Sequence, residues 1–121
     1  MALTYSRQLL SGSTNGRPIS IDSTTSPGTD IHTPQTTGTS DREEIYLYAH
    51  LMATSDKRVI VHWGGTATAD EIRQDIVDGD GLHVVSPGLT LTGTAATIGA
   101  YCTATGLIAI SGWVNRATAT S

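Results

Sequence analysis

The sequence predicts an all-β fold, an antiparallel β-sandwich or jelly-roll-like domain with an extended N-terminal arm. Three observations predict it: abundant Thr, Ser, Ala and Gly, apolar side chains that recur at every second position, and turn residues every few positions between those runs. Thr favours strands because its branched Cβ fits a pleated surface, while Gly and Ser supply turns. With 121 residues the chain is one domain long, enough to bury about two-thirds of the surface it exposes when unfolded.

Residues 1–40 hold few large apolar side chains after Leu10. The stretch STTSPGTDIHTPQTTGTS, with Pro27 and Pro34, reads as extended, turn-rich chain. This segment is the expected arm, partly ordered on its own. Within it, residues 18–22 form a short exception, because Ile19 and Ile21 share a face and fit an edge strand.

The core domain is expected over residues 41–121. In residues 44–53 (EIYLYAHLMA), Ile45, Leu47, Ala49 and Leu51 alternate with Tyr46, Tyr48, His50 and Met52. Both sets are substantially apolar, as in a strand covered on both faces at a sandwich centre or a subunit contact. Residues 57–63 (KRVIVHW) alternate again after the turn TSDK, so the two segments are expected to form a hairpin. Residues 66–75 read as a loop or one helical turn leading into a strand near 74–77. Short strands are then expected at 82–85, 89–92, 97–103, 107–111 and 113–117, separated by DGDG, SPG, TGT, ATG and SG. Ile45, Leu47, Val59, Val61, Val84, Leu91, Ile98, Leu107 and Ile110 are the expected core.

The charged fraction is 15%, below the ~25% usual for soluble domains. A neutral, hydroxyl-rich surface suits a protein packed against neighbours. The net charge is −4 and the seven Lys and Arg are scattered along the chain, which argues against a nucleic-acid partner. No apolar run approaches the ~20 residues of a membrane helix. The start MALTYSRQLLSGS lacks the long apolar segment of a secretory signal, so synthesis in the cytoplasm without membrane association is expected.

The residues capable of chemistry do not assemble into a motif. His32, His50, His62 and His83 lie singly, without the spacing of a zinc site, although the expected hairpin would make His50 and His62 cross-strand neighbours. Asp75, Asp78 and Asp80 lack the closing Glu of a calcium loop and read as a turn. No Ser occupies a nucleophile elbow, no glycines match a phosphate loop, and Cys102 has no adjacent base, so a buried thiol is expected. Glu43 and Glu44 point to opposite faces of a strand and cannot flank one bond. No enzymatic activity, cofactor or metal is expected.

Three stretches carry a resemblance: LSGSTNGRPISI at residues 10–21, VHWGGTATADEI at 61–72, and LHVVSPGLTLTG at 82–93 followed by GLIAISGWVNRAT at 106–118. The pattern resembles small virion proteins that tailed bacteriophages carry among their head genes, the capsid decoration or cement proteins. The resemblance implies a β-rich structural protein at the capsid surface that bridges capsomers. Its implied partners are the major capsid protein and further copies of itself, with a homotrimer expected from capsid geometry. No catalytic residues follow from it. The candidate assembly contacts are Tyr5, Arg7, Leu9 and Leu10 in the arm, with Arg17, Tyr46 and Tyr48. On this reading, deletion of residues 1–13 leaves the core folded and weakens assembly. One competing reading is a carbohydrate- or ligand-binding sandwich with Trp63, Trp113 and Tyr46 or Tyr48 as an aromatic platform. Another keeps the virion and places the chain at the head-to-tail joint or tail.

Overall fold

The computed structural model describes residues 2–36, 41–79, 81–102 and 107–120. Its strands are β1 (Ala2–Leu9), β2 (Ile19–Ser20), β3 (Thr29–His32), β4 (Arg42–Leu51), β5 (Lys57–His62), β6 (Glu71–Ile76), β7 (His83–Leu91), β8 (Ile98–Cys102) and β9 (Ile108–Thr120). A single 3₁₀ turn, Thr68–Asp70, leads directly into β6, so that strand starts earlier than expected. One antiparallel sheet runs β1-β9-β4-β7, with β2 also on β9, and the other runs β3-β8-β5-β6. With the two-residue β2 set aside, the chain crosses between the sheets at most connections. This interleaving is the strand order of a jelly roll.

The expected hairpin between residues 44–53 and 57–63 does not form. β4 pairs with β9 and β7, while β5 pairs with β8 and β6. Each of these strands has one strongly apolar face. Residues 52–56 carry the chain from one sheet to the other, so that Ile45, Leu47 and Ala49 join Val59 and Val61 in one core instead of lying beside them in one sheet.

The expected arm is likewise corrected. β1 pairs with β9 along its whole length, from Ala2↔Thr120 to Leu9↔Trp113. β3 is an edge strand of the second sheet, and Leu10, Ile19, Ile21 and Ile31 are buried in the core. Edge strands need not alternate strongly, and Pro27 and Pro34 fall between strands, where they remove no ladder bond. β1 itself leaves Tyr5, Arg7 and Leu9 exposed and is held mainly by its backbone ladder. Residues 37–40 of the expected arm lie outside the described residues.

Two pairs of expected strands merge. β7 runs through Pro87, which this strand tolerates because it is an edge of its sheet. The buried Ser86 hydroxyl donates to the Ile45 carbonyl at 2.6 Å, an acceptor that Pro87 beside it cannot serve. Ser86→Ala should therefore cost about 1–3 kcal/mol, read as a lowered urea midpoint. β9 runs through Gly112, where a Cβ would lie 1.9 Å from the Tyr46 carbonyl oxygen. Only glycine allows β4 and β9 to approach so closely.

Ile45, Leu47, Val59, Val61, Ile98 and Ile110 are buried as expected, and Leu91 and Leu107 partly so. Val84 instead faces outward and Val85 inward. The register shifts between Leu47↔Ser86 and Tyr48↔Val84, and the extra residue reverses the alternation. Cys102 lies in the core, its Sγ 3.8 Å from the Ile21 carbonyl oxygen.

Candidate functional site

The alternation of β4 that buries Glu43, Ile45, Leu47 and Ala49 turns Glu44, Tyr46, Tyr48 and His50 to the outer face of the first sheet. Register carries the pattern across the sheet. Leu9 lies opposite Trp113, Trp113 opposite Tyr46, and Tyr46 opposite Pro87. The Arg7 guanidinium sits 4.2 Å from the centroid of the Trp113 ring. On the β4 side, Tyr46 stacks on Trp113 with centroids 4.2 Å apart and planes 13° apart.

Beyond Tyr46 comes Gly88, at φ 108°, where a Cβ would lie 3.0 Å from the tyrosine ring. Guanidinium, indole, phenol and glycine backbone thus form one stack across β1, β9, β4 and β7. The cation–π contact contributes about 0.5–1 kcal/mol at an exposed site and the ring pair about 0.5–1.5 kcal/mol. Because β1 and β4 flank β9, both faces of the indole are covered. What the surface offers outward is ring edges and polar tips.

Flanking contacts fix the same face. Arg42 Nη2 donates to the Tyr5 hydroxyl at 3.1 Å, reaching across Ala117, which lies between them in register and is fully buried. Asn115 Nδ2 donates to Glu44 Oε1 at 3.1 Å. Tyr48 lies between Ser111 and Val84.

Of the residues predicted as assembly contacts, Tyr5, Arg7, Leu9, Tyr46 and Tyr48 meet on this face. Leu10 does not: it is 2% exposed and belongs to the core. Its neighbour Leu9 points outward because successive residues of an extended chain alternate. Arg17 lies at one end of the face, in a depression of about 570 Å³ that it lines with Ile19, Ser20, His50 and Met52.

A buried polar centre sits between the sheets. Glu43, with no exposed surface, accepts from His32 Nε2 at 2.5 Å, from the Gln35 amide at 3.1 Å and from Arg116 Nε at 2.7 Å. The Ser11 amide donates to His32 Nδ1 at 3.0 Å, which places the imidazole proton on Nε2, facing the carboxylate. Burial pushes the Glu43 carboxyl upward, but the hydrogen bonds from His32, Arg116 and Gln35 outweigh it and hold the group below its ordinary value of 4.5. With its oxygens enclosed and engaged, Glu43 ties β3, β4 and β9 together and has no access to a substrate. The expectation that Glu43 and Glu44 face opposite ways holds. The side-chain partners of Glu43 stand 11 and 73 residues away in sequence, and no local motif could reveal them.

The other candidates stay apart. His50 lies opposite Ala109 in the first sheet, whereas His62 lies opposite Gly99 and Glu71 in the second, so they are not cross-strand neighbours. Asp75 pairs with Arg58 at 2.6 Å, Asp56 accepts from the Asp78 amide, and Asp80 lies outside the described residues. Among the described residues, no three His, Cys, Asp or Glu side chains gather as metal ligands. Trp63 packs against the core and shares no platform with Trp113. Comparison with known protein families, curated proteins and solved structures finds no match to this chain.

Proposed function

We propose that this chain is a structural virion protein of a tailed bacteriophage, a capsid decoration or cement protein that docks on the major capsid protein through the outer face of the β1-β9-β4-β7 sheet. The observation that carries the reading is the convergence of Tyr5, Arg7, Leu9, Tyr46 and Tyr48 with Trp113 on one stacked face. Trp, Tyr and Arg are the residue types that dominate interface energetics, and rings already locked against one another lose little freedom on binding. The low charge of the chain and its resemblance to decoration proteins support the same conclusion. Jelly rolls serve both viral coats and sugar-binding domains, so the strand order alone does not choose between them. The stack supports the virion reading, because Arg7 and Tyr46 cover both faces of Trp113 and leave no open indole face on which a sugar would lie.

Tryptophan fluorescence tests the proposal. Titration with phage heads assembled without this chain should shift the emission, and Trp113→Phe should remove the shift. Titration with oligosaccharides should leave the emission unchanged. A response to oligosaccharides alone supports the carbohydrate-binding module, and a response to tails alone moves the chain to the joint or tail.

A further inference from the structure

The second sheet carries a buried imidazole with unmade hydrogen bonds. Val59 and Val61 enter the core, so alternation turns Ile60 and His62 to the outer side of β5. His62 is nonetheless 2% exposed, and among the described residues neither of its ring nitrogens has a hydrogen-bond partner. Tyr101 stacks on the ring with centroids 5.5 Å apart. Unmade buried hydrogen bonds destabilise a fold, and a purely apolar ring at this position would avoid the loss.

The ring lines a cavity of about 310 Å³. Register sets its walls, because Glu71, His62, Gly99 and Asp30 stand in one row across β6, β5, β8 and β3. Neighbouring strands lie about 4.8 Å apart, so His62 and the Asp30 carboxylate flank a gap into which Gly99 sends no side chain. The Pro27 carbonyl oxygen stands over that glycine, where a Cβ would lie 2.5 Å from it. Gly64 and Gly65 keep a further side free of side chains, and Thr66 and Thr97 add hydroxyl oxygens. Among the described residues no Lys or Arg lines the space. Behind Gly65 lies Asp70, whose carboxylate accepts the Ala67 amide. Neither Asp30 nor Asp70 is joined to a cationic side chain among the described residues, whereas Glu71, on the far side of His62, is matched by Arg73. The cavity is therefore rich in acceptors and net negative.

We propose that this cavity binds a primary ammonium group on a slender chain, that of an alkylamine or of a lysine side chain, with the Asp30 carboxylate and one nitrogen of His62 accepting its N–H bonds. A neutral imidazole offers one acceptor nitrogen, and an ammonium group has three donors and no acceptor, which matches the walls. The small lining side chains admit an unbranched chain. A metal ion fits less well, because one imidazole and one carboxylate give it two protein ligands where zinc takes three or four, and no third His, Cys, Asp or Glu gathers there among the described residues. A quaternary ammonium has no N–H to give and would leave the ring nitrogen unpaired. The site lies on the other sheet from the Trp113 stack, and the proposal does not rest on the virion reading.

An NMR titration of the isotope-labelled full chain with n-butylamine tests it, with tetramethylammonium at the same concentration and ionic strength as the comparison. Butylamine should move the amide signals of residues 62–66 and 97–99 saturably, and tetramethylammonium should not. Asp30→Asn, at an exposed position, and His62→Phe, which keeps a ring against Tyr101, should each weaken butylamine binding by at least about tenfold, the loss of one hydrogen bond to a charged group. Circular dichroism should be unchanged in both, and if His62→Phe fails to fold, Asp30→Asn decides alone. Nα-acetyl-lysine methylamide separates the two sources: shifts of the same amides admit the lysine side chain of a protein partner, and shifts with butylamine alone restrict the site to free amines. No saturable shift with butylamine, an equal response to tetramethylammonium, or undiminished binding by Asp30→Asn overturns the proposal. Zinc chloride saturating the same amides where butylamine does not overturns it as well.

Discussion

Glu43→Ala should destabilise the fold by about 3–5 kcal/mol, the range for breaking a buried ion pair by removing one partner. The substitution leaves three donors without their acceptor: His32 Nε2, the Gln35 amide and Arg116 Nε. His32 is 1% exposed and Arg116 24%, so water reaches the first hardly at all and the second only in part. Glu43→Gln keeps the volume and should cost less. The same centre sets an acid limit. Because the folded carboxyl lies below its ordinary value of 4.5, the unfolded chain takes up the proton first as pH falls. The stabilisation is therefore complete above about 4.5 and is lost as pH falls through the lower folded value. Urea midpoints measured down this range should fall less steeply in Glu43→Gln than in the wild type.

Deleting residues 1–13 should unfold the protein or lower its thermal transition sharply, contrary to what an independent arm implies. Leu10 leaves the core with the deletion, and truncating a buried Leu to Ala alone costs about 2–5 kcal/mol. Three hydrogen bonds go with it: Ser11 amide to His32 Nδ1, Thr33 amide to Ser11 Oγ at 2.8 Å, and Gly12 amide to the Ile31 carbonyl at 2.9 Å. The whole β1–β9 ladder is also removed. Domains are stable by only about 5–15 kcal/mol in total, so these losses consume most of the margin. Leu10→Ala and a deletion of residues 1–9 separate the core contribution from the ladder contribution. An unchanged thermal transition for the 1–13 deletion would contradict this packing.

The all-β class and the inward face of β4 were legible in the sequence because alternation is a local signal, and Ile45, Leu47 and Ala49 display it without interruption. Pairing was not legible. β4 and β5 are adjacent in sequence and each fits a hairpin, and nothing local distinguishes a turn within a sheet from one that crosses the sandwich. Val84 was misplaced because a bulge reverses alternation without changing composition. Gly112 and the segment around Pro87 looked like breaks because Gly and Pro end most strands, whereas here one admits a close carbonyl and the other occupies an edge. Of the candidate contacts, Tyr46 and Tyr48 followed from a strand apolar on both faces. Arg7 and Leu9 reached the same face only through a pairing with β9 more than a hundred residues along the chain.

The docking claim is tested most directly by cosedimentation of purified protein with phage heads assembled without it, comparing wild type and Trp113→Ala. Trp113 stands at the centre of the stack, and hot-spot truncations cost at least about 2 kcal/mol, or roughly 30-fold in affinity. The account predicts saturable binding of the wild type and a loss of about that size in the variant, with its circular dichroism unchanged. Absence of wild-type binding, or equal binding by the two proteins, would contradict it.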